Sequence, residues 1–243
     1  MTFMNLPNIL TVIRVAIIPF FLFFLLHDIP VYRLIAIILF MVASVTDLLD
    51  GYLARKWNQE SKFGRFLDPL ADKFLVIASL FAFYFLDKQI PLWMILAIIS
   101  RDLLITLMRF LAIKKGTEVR TTRLAKAKTV FQLTSIMIII VVFFVRSYRV
   151  DIQETFEQGQ IQGKKNFEIA AELFIEGIKM IEDERAYPSE TKKVFAQSVP
   201  YFLMLATTIV TILSGLRYLY TNYRVLLPPY YLRREKSESR KIN

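Results

Sequence analysis

Apolar runs of bilayer length constrain this chain more than any other feature. Ile9 to Leu26, Tyr32 to Leu48, Leu70 to Leu86, Leu92 to Phe110, Thr129 to Val145 and Phe195 to Leu216 are dominated by aliphatic and aromatic residues. About 20 such residues cross the hydrocarbon core as a helix. Backbone N–H and C=O groups in lipid have no water to bond, so the runs are expected to be helical. The predicted fold is therefore an all-α integral membrane protein: six transmembrane helices with a short N-terminal amphipathic segment. With 55% hydrophobic residues and no Cys among its 243 residues, the chain is neither a disordered tail nor a disulfide-stapled module.

Charge orients the runs. The net charge is +10, from 31 Lys and Arg against 21 Asp and Glu, and in so apolar a chain it points to anionic lipid headgroups rather than nucleic acid. Arg55, Lys56, Lys62 and Arg65 follow the second run, Lys114, Lys115, Arg120, Arg123, Lys126 and Lys128 follow the fourth, and Arg233, Arg234, Lys236, Arg240 and Lys241 fill the tail. The links His27 to Val31 and Asp87 to Pro91 carry few cations. The positive-inside rule then puts both termini in the cytoplasm. The first run holds Arg14 and Pro19 and lacks a basic n-region, so it reads as a retained span rather than a cleaved signal. Four segments result: 1–145 with five spans, an extramembrane insertion at 146–193 on the non-cytoplasmic face, a sixth span at 194–223, and a basic cytoplasmic tail at 224–243.

Polar information is densest where the second run ends and the third begins. Asp47, Asp50, Gly51, Ala54, Arg55, Gly64, Asp68 and Asp72 form the pattern D-x2-D-G-x2-A-R-x8-G-x3-D-x3-D. Helical spacing puts Asp47 with Asp50, and Asp68 with Asp72, on one face each. A short loop makes the two helices antiparallel neighbours, so four carboxylates converge at their cytoplasmic end. Four ionised carboxylates repel one another unless cations compensate. With oxygen donors alone and a single His in the chain, the hard ions Mg²⁺ or Mn²⁺ fit better than Zn²⁺, and such ions keep positions open for phosphate oxygens. Gly51, Ala54 and Gly64 leave room for a ligand to approach the backbones, and Arg55 offers a fork for phosphate. Taken singly, Asp47 and Asp50 read as helix-end residues, and Asp68 before Pro69 reads as an N-cap.

Taken together, the eight residues resemble the signature of the CDP-alcohol phosphotransferases, membrane enzymes of phospholipid synthesis, and the six-span layout extends the resemblance over most of the chain. The resemblance implies that an acceptor hydroxyl attacks the β-phosphorus of a CDP-linked lipid and CMP leaves. It implies that Asp47, Asp50 and Asp68, helped by Asp72, hold a pair of divalent metal ions and that Asp72 takes the hydroxyl proton. Asp47, Asp50, Gly51, Ala54, Arg55, Gly64 and Asp68 would bind the CDP-lipid. A homodimer in a bacterial cytoplasmic membrane, with the site on the cytoplasmic side, is also expected from the resemblance.

Further residues bear on the acceptor. Asn5 to Arg14 resembles the opening of the phosphatidylglycerophosphate synthases and also that of cardiolipin synthases; Asn8 and Thr11 otherwise read as caps of the first helix. Arg14, inside a span, is expected to face a polar cavity or to reach a lipid phosphate. Arg101 and Arg109 stand eight residues apart, about two turns, and Lys126 and Lys128 open the fifth run. Arg101 with Asp102 reads either as a buried structural pair or as part of an anion site. Cations converging on a metal-filled acidic site suit an anionic acceptor. The arrangement, with Thr211 to Gly215, is similar to that in enzymes passing the phosphatidyl group of CDP-diacylglycerol to sn-glycerol 3-phosphate. Asp102 stands where those enzymes usually carry Glu, and Ala125 where Gly is usual. The Arg-Asp pair also occurs in cardiolipin synthases, which leaves phosphatidylglycerol as the alternative acceptor.

Within the insertion, Phe167, Ala170, Ala171, Phe174, Ile178 and Ile181 recur at three- and four-residue intervals among Glu168, Glu172, Glu176 and Lys179, which predicts an amphipathic helix acting as a cap or as a partner contact. A transporter would also place charges within spans, but the paired repeats or broken helices of that class are not evident. A lipid-binding scaffold gives no reason for four spaced acids.

Overall fold

The computed structural model describes residues 6–57, 62–114, 123–148, 160–182 and 188–223, with side chains described over 12–46, 73–112, 127–148, 160–180 and 194–223. Among the described residues there are seven helices: α1 (Leu6–Leu26), α2 (Pro30–Trp57), α3 (Lys62–Leu86), α4 (Leu92–Lys114), α5 (Arg123–Arg146), α6 (Asn166–Glu182) and α7 (Pro188–Asn222). Each of the six apolar runs lies within one of α1 to α5 or α7, and α6 is the amphipathic helix of the insertion. Residues 1–5 and the tail beyond Tyr223 lie outside the described residues.

The helices outrun the apolar stretches at their polar ends. α2 continues to Trp57 and α3 begins at Lys62, so Asp68 is inside α3 and does not cap it. Likewise α1 begins at Leu6, which places Asn8 and Thr11 within the helix rather than at its cap. Polarity is distributed as lipid demands. Phe20, Phe85, Leu107, Phe110, Val130, Leu213 and Leu216 are exposed, whereas Arg14, Ser79, Gln132, Ser135, Ser198, Thr211 and Ser214 are buried. Polar side chains turned inward under an apolar exterior are the arrangement a bilayer selects. Among the described residues, Ala127–Arg146 of α5 and Val194–Asn222 of α7 are long and apolar enough to cross a membrane, and Val12–Leu26, Pro30–Thr46 and Lys73–Leu86 of α1 to α3 are apolar.

The chain forms two units, Met1–Leu92 with Leu133–Leu205, and Trp93–Gln132 with Ala206–Asn243. In the first, α1 packs on both α2 and α3, around Phe21, Leu25, Phe40, Leu80 and Phe83. Arg146, ending α5, ties one end of this unit together: its Nη1 donates to Asp87 Oδ2 at 2.7 Å, Nε to the Ala196 carbonyl at 2.8 Å and Nη2 to the Gln197 carbonyl at 3.0 Å. Asp87 also accepts the Gln89 amide at 3.0 Å, which closes the turn after α3. In the second unit, Ile105, Met108 and Ala112 of α4 enclose Tyr218 of α7.

Candidate active site

The acids of the sequence pattern are carried by the first unit. Asp47, Asp50, Gly51, Ala54 and Arg55 are on α2, and Gly64, Asp68 and Asp72 on α3, with residues 58–61 between the helices. Because both segments are helical, the i,i+3 and i,i+4 spacings of the acids each correspond to one side of a helix. The side chains of these eight residues lie outside the described residues. Just ahead of them, Thr46 turns its hydroxyl back to the Val42 and Ala43 carbonyls, at 2.8 and 2.9 Å, and so is satisfied by its own helix.

The donor set suits a hard divalent cation. His27, the chain's one His, bonds the Phe23 carbonyl at 2.7 Å and contacts the Phe23 and Tyr32 rings, which accounts for it structurally. No three acid, His or Cys side chains group as a metal site among the described residues. The four aspartates of α2 and α3 remain the candidate donors expected from the sequence, and an all-oxygen set fits Mg²⁺ or Mn²⁺. Arg14, on α1, is fully buried.

The second unit brings several of the expected cations together. Arg101 Nη1 donates to Asp102 Oδ1 at 3.0 Å and its Nη2 to Ser214 Oγ at 2.7 Å. Lys128 Nζ, on α5 and buried, donates to both oxygens of the same carboxylate at 2.7 and 2.9 Å. Asp102 thus joins a cation of α4 to one of α5, and the expected pairing of Arg101 with Asp102 is present. Arg109 is exposed two turns farther along α4, and the side chain of Lys126 lies outside the described residues.

Ser214 and Gly215 belong to this group although the sequence signalled them only through the Thr211 to Gly215 stretch. A Cβ at Gly215 would stand 2.9 Å from Arg101 Cγ, so the missing side chain is what lets the arginine lie against α7. Thr207, Thr211, Ser214 and Tyr218 recur at four-, three- and four-residue steps along α7 and are all buried. In this unit the hydroxyls of Thr207, Thr211 and Tyr218, Arg101 Nε and Gln132 Nε2 are buried without hydrogen-bond partners. Buried polar atoms left open in this way mark places that water or a polar ligand fills.

Residues 4–156, which take in α1 to α5, match the family model described as CDP-alcohol phosphatidyltransferase. The chain is similar to the CDP-diacylglycerol--glycerol-3-phosphate 3-phosphatidyltransferase of Bacillus subtilis (strain 168), 42% identical over 144 residues that cover 54% of this chain and 74% of the relative. The proteins of the same name from Rickettsia bellii (strain RML369-C) and Escherichia coli (strain K12) are 41% and 35% identical, over 56% and 54% of this chain and 75% and 74% of their own lengths. α6 and α7 fall beyond the family match, so Ser214 and Gly215 do too. With well over half of its length matched, and with an all-helical, membrane-suited fold, this chain is an integral membrane enzyme and belongs to the CDP-alcohol phosphatidyltransferase family.

Proposed function

We propose that this enzyme moves the phosphatidyl group of CDP-diacylglycerol to sn-glycerol 3-phosphate, giving phosphatidylglycerophosphate and CMP. The observation that carries the reading is the intact acid pattern, Asp47 to Asp72, on two consecutive helices within the family match. The names of its relatives support the choice of acceptor. The reading has six spans with both termini and the site on the cytoplasmic side, supported by the distribution of Lys and Arg.

Asp47, Asp50 and Asp68, with Asp72, would hold two divalent metal ions, Mg²⁺ or Mn²⁺. Bound there, the pair supplies charge neutralisation for the pyrophosphate and for the oxygen that departs. Gly51, Ala54 and Gly64 leave space for the cytidine diphosphate, and Arg55 donates to its phosphate oxygens. Asp72 accepts the proton of the acceptor hydroxyl as its oxygen bonds to the β-phosphorus. The bond from that phosphorus to the oxygen of CMP breaks, and CMP departs with the electron pair. Arg101, Arg109, Lys126 and Lys128 bind the acceptor's phosphate. Asp102 holds two of these cations in place, and the open hydroxyls of α7 suit the glycerol hydroxyls. The basic tail associates with anionic lipid, and the enzyme works as a homodimer.

CMP release by the purified protein in detergent, with CDP-diacylglycerol and Mg²⁺, tests the reading when glycerol 3-phosphate, phosphatidylglycerol, inositol phosphate and serine are compared. Release only with glycerol 3-phosphate, lost on chelation and restored by Mg²⁺ or Mn²⁺, is expected. Release only with phosphatidylglycerol would make the enzyme a cardiolipin synthase.

A further inference from the structure

The insertion helix α6 divides around its circumference into three sectors. Ile169, Ala170, Leu173 and Gly177 are buried, and Ile169 and Leu173 pack with Val194 of α7. A Cβ at Gly177 would lie 3.0 Å from the Phe195 ring, so the two helices approach closely there. Glu168, Glu172, Glu176 and Lys179 occupy a second sector and are exposed, with Glu172 paired to Lys164 at 2.7 Å. Between these, Phe167, Phe174 and Ile178 form an apolar stripe that is exposed although it borders the buried sector.

Depth along α7 identifies what faces that stripe. The polar residues Ser189 to Lys193 give way at Val194 to the apolar stretch of α7 that is long enough to cross a membrane. Phe174 contacts both Phe195 and Phe202, at ring-centroid separations of 5.6 and 5.3 Å, and Phe167 contacts Phe202 at 6.3 Å. Seven residues of helix separate Phe195 from Phe202, about 10 Å along the axis. The aromatic contacts of α6 therefore reach into the first turns of a span, below the level at which a helix is surrounded by water alone. At its other side α6 is tethered by the Asn166 amide to the Gln89 carbonyl at 3.1 Å, in the turn after α3.

We propose that α6 is an interfacial helix whose Phe167–Phe174–Ile178 stripe sits among the lipids at the boundary of headgroups and acyl chains, continuous with the lipid-facing surface of α7. The charged sector then faces water, as in helices that lie in the plane of a membrane. Phe and aliphatic side chains are the usual lipid-facing residues of such helices. Its polar face is acidic rather than basic, so α6 is held by its packing on α7 and by Asn166, not by attraction to anionic lipid.

The chain has no Cys, so single cysteines can be labelled without background. Bimane at Ile178→Cys, in phosphatidylcholine–phosphatidylglycerol vesicles whose acyl chains are brominated near the headgroup, should be quenched at least twofold more than at Glu172→Cys or Lys179→Cys. The latter two should be quenched by aqueous iodide instead. Phe167→Cys reads the same stripe independently, should Ile178→Cys fail to fold. Iodide quenching at 178 and 167 equal to that at 172 would overturn the proposal. So would protection from iodide at 178 and 167 that disappears on diluting the protein in the vesicles, since the stripe would then be covered by a second copy.

Discussion

Asp102 serves two cations with one carboxylate, and the sequence revealed only part of that. Arg101 is its chain neighbour, and Lys128 stood out as a cation at the start of a span, but the contact between Lys128 and Asp102 joins separate helices and leaves no periodic trace in the sequence. The same holds for Ser214, which meets Arg101 across 113 positions of chain. Burying Lys128 is tolerable because Asp102 compensates it, and that pairing also fixes where its charge lies. Charge-assisted hydrogen bonds contribute about 1.5–3 kcal/mol, a factor of roughly ten or more in binding. Lys128→Ala and Arg109→Ala are thus each expected to raise the KM for glycerol 3-phosphate roughly tenfold while changing that for CDP-diacylglycerol far less. Steady-state kinetics with each substrate varied will check this, and unchanged acceptor kinetics would remove both residues from the acceptor site.

Helix identity was largely legible and helix ends were not. Hydropathy locates α1 to α5 and α7, and the three- and four-residue spacing of apolar side chains locates α6. The ends were misjudged where charge begins: Asp68 looked like a cap because Pro69 follows it, yet α3 already runs from Lys62. Backbone hydrogen bonding continues past the point at which side chains turn polar, so an apolar run marks the part of a helix that lipid covers, not the helix. The clamp made by Arg146 was also illegible, because its partners are one carboxylate in a turn and two backbone carbonyls on α7. Asp87 is buried, and removing it leaves the Arg146 guanidinium without its counter-charge. Asp87→Ala should therefore cost about 3 kcal/mol, seen as a lower thermal midpoint in detergent; an unchanged midpoint would mean that the pair is exposed to water in solution.

Over the whole molecule, the residues proposed for the site sit in different kinds of sequence signal. The acids of α2 and α3 are close in the chain and fixed in spacing, so one short pattern exposes them. The cationic group draws on α4, α5 and α7 and takes shape only on folding. An apolar exterior follows from the composition, since a chain this hydrophobic has nowhere but lipid to place its exposed side chains. Our proposal is that Asp72 takes the proton in a direct transfer to glycerol 3-phosphate. Its most direct test is mass identification of the lipid formed from CDP-diacylglycerol and glycerol 3-phosphate by the wild-type enzyme and by Asp72→Asn, with CDP-diacylglycerol binding measured on both. Phosphatidylglycerophosphate and CMP in equal amounts from the wild type, and neither from a variant that still binds the donor, is the predicted result; wild-type turnover by Asp72→Asn would contradict it.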